Sequence, residues 1–160
     1  LIDVLLDRAW SAPAARKPHP LPEPLDLQSY DAGRFVVDAK LGSGWTLERP
    51  DWKALKGECR GRFRELALLC ATTPGAELTL DFEGRAAGAY LLAGPDAGSV
   101  EVSVDGGPFR TVGLKHAHSA GLHYPRTVLF AEGLASGPHT LRLRLLDGAA
   151  RFVKLCVNGR

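Results

Sequence analysis

The sequence predicts an all-β domain, two antiparallel sheets packed as a jelly-roll β-sandwich, and three observations carry that expectation. After residue 31 the apolar residues recur with period two in short runs, the signature of half-buried strands. Gly- and Pro-containing turns separate the runs. Helical periodicity is confined to the first ten residues, and no internal repeat suggests a propeller or solenoid.

The strands follow in order. Arg34–Ala39, Arg62–Cys70 and Ala76–Phe82 are the first three, the last with Leu78, Leu80 and Phe82 alternating with Thr79 and Asp81. Ala87–Ala93 is uniformly apolar, as a central strand is, and Gly94-Pro95-Asp96 stops it. Val100, Val102 and Val104 lead into Asp105-Gly106-Gly107-Pro108 and on to Phe109–Leu114, the clearest hairpin, because glycine supplies the positive φ of a tight turn. Thr127–Ala131, His139–Leu146 and Arg151–Val157 complete the set. Trp52–Glu65 is ambiguous, with room for one helical turn.

The start of the chain is different. Leu1, Ile2, Val4, Leu5 and Leu6 have helical spacing and an apolar side that needs a partner. Ten residues make a poor independent helix. Pro13, Pro18, Pro20, Pro22 and Pro24 then favour an extended, semi-rigid spacer. The expected organisation is the tail of a preceding domain's last helix at 1–10, a linker at 11–28 and the sandwich at 29–160.

Composition narrows the function. The 160 residues, 45% hydrophobic and 24% charged, suit one globular domain, and no apolar run reaches the roughly 18 residues of a membrane span. Twenty basic and eighteen acidic residues are scattered without a basic block, so nucleic acid is not an expected partner. Cys59, Cys70 and Cys156 lack zinc-site spacing; Cys70 and Cys156 read as small core residues. The sequence contains neither a Gly-Asp-Ser nor an Asp-x-x-His string, and Gly-x-Ser-x-Gly is missing too.

The segments Ala93-Gly94-Pro95-Asp96-Ala97-Gly98 and Val100 to Phe109, with Leu122-His123-Tyr124-Pro125, Ala131-Glu132-Gly133-Leu134 and Gly137-Pro138-His139-Thr140-Leu141, resemble the β-sandwich domains attached to bacterial SGNH (GDSL-type) hydrolases. Leu1 to Ala9 is similar to the final helix of an SGNH catalytic domain. The resemblance implies a galactose-binding-like sandwich, a C-terminal accessory domain of a secreted or periplasmic carbohydrate esterase, with catalytic residues upstream and none in this fragment. Its partners would be a polysaccharide or glycan and the upstream catalytic domain.

Candidate ligand-binding residues are Trp45, Trp52, His116, His118, His123, Tyr124 and Arg126. Trp45 and Trp52 lie in irregular chain and offer either sugar-stacking faces or packing at the sandwich end. The long loop His116–Arg126 offers three imidazoles, an aromatic ring and a guanidinium. Its histidines are either solvated, or a zinc set, or part of an interface with the missing domain, where Arg126 would meet a carboxylate and Tyr124 an apolar surface. No cofactor is expected; Asp81, Glu83, Asp96 and Asp105 leave calcium as an alternative, although turn chemistry accounts for Asp96 and Asp105. Two functions stand side by side: a carbohydrate-binding or substrate-positioning domain, and a structural domain that completes the esterase site. An independent zinc enzyme is the third.

Overall fold

The computed structural model describes residues 2–11, 20, 22 and 32–159. Among these residues eleven strands form two antiparallel sheets: β1 Gly33–Val36, β2 Lys40–Leu41, β3 Trp45–Glu48, β4 Leu68–Ala71, β5 Glu77–Gly84, β6 Ala86–Ala93, β7 Ser99–Val104, β8 Arg110–Gly113, β9 Tyr124–Ala131, β10 Gly137–Asp147 and β11 Ala150–Asn158. One sheet runs β3-β4-β11-β6-β9, with β1 also on β11; the other runs β2-β5-β10-β7-β8. The all-β sandwich is therefore as the period-two pattern requires.

The inward rows make the core. Leu78, Leu80 and Phe82 of β5, Leu141, Leu143 and Leu145 of β10, and Val100 and Val102 of β7 face Ala87, Ala89 and Leu91 of β6 and Phe152, Leu155 and Val157 of β11. Each buried leucine contributes about 2 kcal/mol. Phe130 and Phe152 sit on the strands flanking β6, and their rings meet at 5.7 Å. The alanines of β6 leave room for that contact. At the β7–β8 hairpin Asp105 (φ 51°) and Gly106 (φ 73°) are both left-handed, the geometry a tight turn between twisted strands needs.

β6 is covered on its outer face as well. Cys59, Phe63, Leu68, Cys70 and Leu92 form a second cluster, with Trp52, Tyr90 and Val153 packed against it. This satellite core arises because the chain between β3 and β4 folds back over the sheet instead of continuing as strand. The expected strand Arg62–Cys70 is thus corrected: Gly61–Arg64 is one helical turn, α2, anchored by buried Phe63, and β4 begins only at Leu68. Cys59 and Cys70 are buried free thiols, and burial pushes Cys70 up to about 12. Cys156 departs from the core reading and is only half-buried, on the outer face opposite Gly88.

The N-terminal helix, α1, spans Ile2–Ser11. Ile2, Val4, Leu5, Leu6 and Trp10 are all exposed, so its apolar side is uncovered. The linker, 11–28, lies outside the described residues except for Ser11, Pro20 and Pro22. Among the described residues no helix is long and apolar enough to cross a membrane.

Candidate functional site

Two connections meet at one edge of the sandwich: Arg49–Ala67 between β3 and β4, and Leu114–His123 between β8 and β9. Backbone bonds zip them together, Glu58 N–H to Gly121 O at 2.8 Å and His123 N–H to Glu58 O at 2.8 Å. A bridge pairs Glu58 with Leu122. Gly57 sits at φ 90°, where a Cβ would lie 2.8 Å from Pro95 Cγ. Only glycine allows this close approach, which brings the first connection against the turn after β6.

The zipped connections carry an open groove of about 620 Å3 lined by Trp52, Arg64, Lys53, Arg49, Glu58 and Asp51, among others. Trp52 is partly exposed and held from two directions. Its Nε1–H donates to Arg64 O at 3.1 Å, and its ring meets His123 edge-on at 5.0 Å. Arg64 Nε in turn donates to Cys59 O at 2.9 Å. The indole is thus tied to the Arg64 backbone and the guanidinium to the Cys59 backbone, so both groove-lining side chains have little rotamer freedom left to lose on binding.

His123 is fully buried. Its Nε2 faces Lys56 O at 3.1 Å, and a carbonyl only accepts, so Nε2 carries the proton. Nδ1 is buried without a hydrogen-bond partner among the described residues. Burial first, then the Arg151 charge, depresses its pKa below the ordinary histidine value, so the ring is neutral at neutral pH. Beneath it, Arg151 is 4% exposed and makes two 2.8 Å bonds to the Asp96 carboxylate.

The remaining predicted residues form a separate surface. His116 stacks on Tyr124 at 4.5 Å and 9°. His118 tilts against both rings at 5.1 and 5.3 Å. His116 Nδ1 accepts from His118 N–H, and buried Ser119 Oγ accepts from His116 N–H. These bonds stabilise a single 3-10 turn, Ala117–Ala120. Arg126 donates to Lys115 O at 2.8 Å. The expected long loop is therefore shorter than read: Tyr124 and Arg126 belong to β9.

Several expectations are corrected by these placements. Trp45 lies on β3, 5% exposed, with its ring 5.0 Å from Phe152, so it presents no stacking face to a ligand. The zinc reading fails on geometry, because His123 is turned onto Lys56 O inside the edge while His116 and His118 pack on Tyr124. Among the described residues no cluster of three or more metal-ligating side chains occurs. Of the four calcium candidates, Asp96 is taken by Arg151, Asp81 by Lys40 and Thr140, and Asp105 by His139 and the Thr140 N–H, and Glu83 joins no metal-ligating cluster among the described residues.

Arg64, Lys53, Glu58 and Arg151 escaped the sequence reading. Arg64 was hidden by the period-two run assigned from residue 62. Arg151 looked like the polar start of a strand, and its burial depends on Asp96, 55 residues away.

No protein-family model matches the sequence, and no curated protein matches it. Solved structures do share the fold. Two structures of a two-domain esterase (CEX) active on acetylated mannans, one co-crystallized with mannopentaose, superpose with TM-scores of 0.62 and 0.61 at 15% and 19% identity. Each match covers 99% of this chain, which spans 44% and 45% of those chains. An exo-beta-1,3-galactanase from Phanerochaete chrysosporium, solved with galactose, matches 78% of this chain over 28% of its own, with a TM-score of 0.52 and 21% identity. At these identities the likeness establishes the fold, and the chain spans less than half the length of the esterases it resembles.

Proposed function

We propose that this chain is a non-catalytic carbohydrate-binding or substrate-positioning domain belonging to a larger secreted or periplasmic carbohydrate esterase. One observation carries the reading: Trp52, partly exposed and locked by Arg64 and His123, lines an open groove whose other walls are hydrogen-bonding side chains. A rigid aromatic beside polar groups suits a pyranose, which needs one apolar contact and several directional bonds. Tethering such a site to an esterase raises the local concentration of the polymer around the catalytic centre. The match to a two-domain esterase over 99% of this chain supports the parent, because the alignment takes in α1 as well as the sandwich. The exposed apolar side of α1 fits the tail of a preceding catalytic domain.

The experiment is retention of the chain on a panel of soluble and insoluble polysaccharides by affinity electrophoresis and pull-down, beside Trp52→Ala and Trp45→Phe. Retention on one glycan, abolished by Trp52→Ala in a folded protein and kept by Trp45→Phe, is the expected result. No retention on any polymer moves the function to the second reading.

That second reading is a structural domain completing the esterase active site. The stacked His116, His118 and Tyr124 favour it, an ordered aromatic cluster outside the groove with Arg126 beside it in sequence and strand. It requires that Tyr124→Ala lower the parent enzyme's activity while leaving polymer retention intact.

A further inference from the structure

Resting on the glycan-binding reading, we propose that the Trp52 groove selects a sugar that bears a carboxylate, a uronate, with Arg64 gripping the carboxylate and Lys53 beside it.

Charge is segregated in this chain. Residues 49–65 and 114–126, the stretches joined by the Glu58–Gly121–His123 ladder, contain eight lysines and arginines against three aspartates and glutamates. The rest of the sequence holds twelve against fifteen. The stretches around the groove are thus net positive on a chain of +2, while the lining itself balances Arg49, Lys53 and Arg64 against Asp51, Glu58 and Glu65; within a Debye length of about 8 Å at physiological salt the surrounding excess draws in anions.

Inside the groove the partners separate the charges further. Asp51 Oδ1 is turned onto the Lys53 backbone N–H at 3.0 Å, and Glu65 faces Arg49 at 3.8 Å. Arg64 differs from the arginines of β10 and β11. Arg142 is spent on Glu77, Arg144 on Glu77 and Glu101, and Arg151 on Asp96. Arg64 commits Nε to Cys59 O, which orients its plane, while its two terminal amino groups have no hydrogen-bond or ion-pair partner among the described residues. Lys53 Nζ has none either. An oriented guanidinium with both ends free matches a planar carboxylate bidentately. Glu58, the lining carboxylate left without a partner among the described residues, is placed to accept from sugar hydroxyls. Trp52 is what makes the ligand a sugar rather than any carboxylate, since a ring wall in the same groove as the fork contacts the pyranose face.

The test is isothermal titration of the 160-residue chain with polygalacturonate, with the same polymer after carboxyl reduction, and with polyglutamate. The expected outcome is at least tenfold tighter binding of the uronate than of the reduced polymer. Arg64→Lys, which keeps the charge and loses the fork, is expected to remove most of that preference. Lys53→Gln should cost about threefold, and circular dichroism establishes that each variant is folded. Equal binding of the acidic and reduced polymers overturns the uronate selection and leaves the glycan site standing. Failure of every polysaccharide, including the neutral panel, overturns both. Polyglutamate binding as tightly as the uronate, insensitive to Trp52→Ala, overturns the selection in favour of charge alone.

Discussion

Asp96 and Arg151 form the ion pair on which the groove's supporting layer rests, and its two halves are unequally buried. The Arg151 side chain is 4% exposed and that of Asp96 is 42% exposed. Asp96→Asn therefore leaves a buried guanidinium without its counter-charge, whereas Arg151→Met leaves a carboxylate that water already reaches. Breaking a fully buried pair costs about 3–5 kcal/mol. Because Asp96 keeps part of its hydration, the expected loss for Asp96→Asn is about 2–3 kcal/mol, and for Arg151→Met about 1 kcal/mol. For a domain of this size the first corresponds to a fall of roughly 10 °C in Tm. The double variant is expected to match Arg151→Met rather than the sum, since the stranded charge is gone. Urea unfolding of the four proteins reads these values. Arg151→Met costing as much as Asp96→Asn, or additive losses in the double variant, refutes the argument. The pH dependence carries the same sign. Burial raises the Asp96 carboxyl, but the bonds and charge of Arg151 outweigh it and the net shift is downward. The pair's contribution is thus complete above the unfolded carboxyl range near 3.9 and lost as pH falls through the lower folded value.

Alkaline and backbone perturbations give two further expectations. His139 has Asp105 Oδ2 at 2.7 Å from Nδ1 and Ala135 O at 2.9 Å from Nε2, two acceptors, so both nitrogens carry protons and the ring is an imidazolium. The Ala135 carbonyl first, then Asp105, raises its pKa. Its stabilisation is therefore whole below pH 6.5 and declines as pH climbs through the folded value; His139→Gln should flatten that decline in a series of thermal melts. Gly57→Ala forces a Cβ at φ 90° against Pro95 and is expected to cost about 1–2 kcal/mol from the backbone alone, with loss of polymer retention. Unchanged retention would show that the groove tolerates a shifted Gly57.

The fold was legible because it rests on alternation within single strands. Leu78-Thr79-Leu80-Asp81-Phe82 and Leu141-Arg142-Leu143-Arg144-Leu145 state their inward faces outright, and these are the rows that fill the core. The edge chemistry was legible only in part. The candidates included Trp52, His123 and the His116–Tyr124 stack, but Trp45 was put in the same class as Trp52 on similar Gly- and Pro-flanked contexts. What separates them is non-local. β3 pairs with β4, seating Trp45 over Phe152, while the connection after β3 lifts Trp52 to the groove. Arg151 was unreadable for the same reason, since its partner Asp96 lies 55 residues back, and Arg64 because a backbone carbonyl, Cys59 O, orients it and no side-chain pattern announces that bond.

The dependence of one connection on the other makes a last prediction, in which stability and binding part company. His123 touches no ligand in the proposed groove. It holds Lys56 O through Nε2 and the Trp52 ring by its edge, and so positions the wall from the opposite connection. His123→Phe keeps the ring contact, loses one hydrogen bond worth about 1 kcal/mol, and removes an unpartnered buried Nδ1 whose burial costs about 1–3 kcal/mol. Stability at neutral pH should change little. The acid slope should change clearly, because a histidine depressed below 6.5 by burial must take up a proton on unfolding, and its contribution disappears as pH falls below 6.5 through the folded value. Polymer affinity should nevertheless drop about three- to tenfold, since Lys56 is released and the segment from Asp51 to Cys59 gains freedom that binding must remove. Melts from pH 4 to 8 and titration of the retained glycan read the two effects in the same samples. Wild-type affinity in a variant with a flattened acid slope would mean that Arg64 and Cys59 alone fix Trp52, and that the second connection contributes to folding and not to recognition.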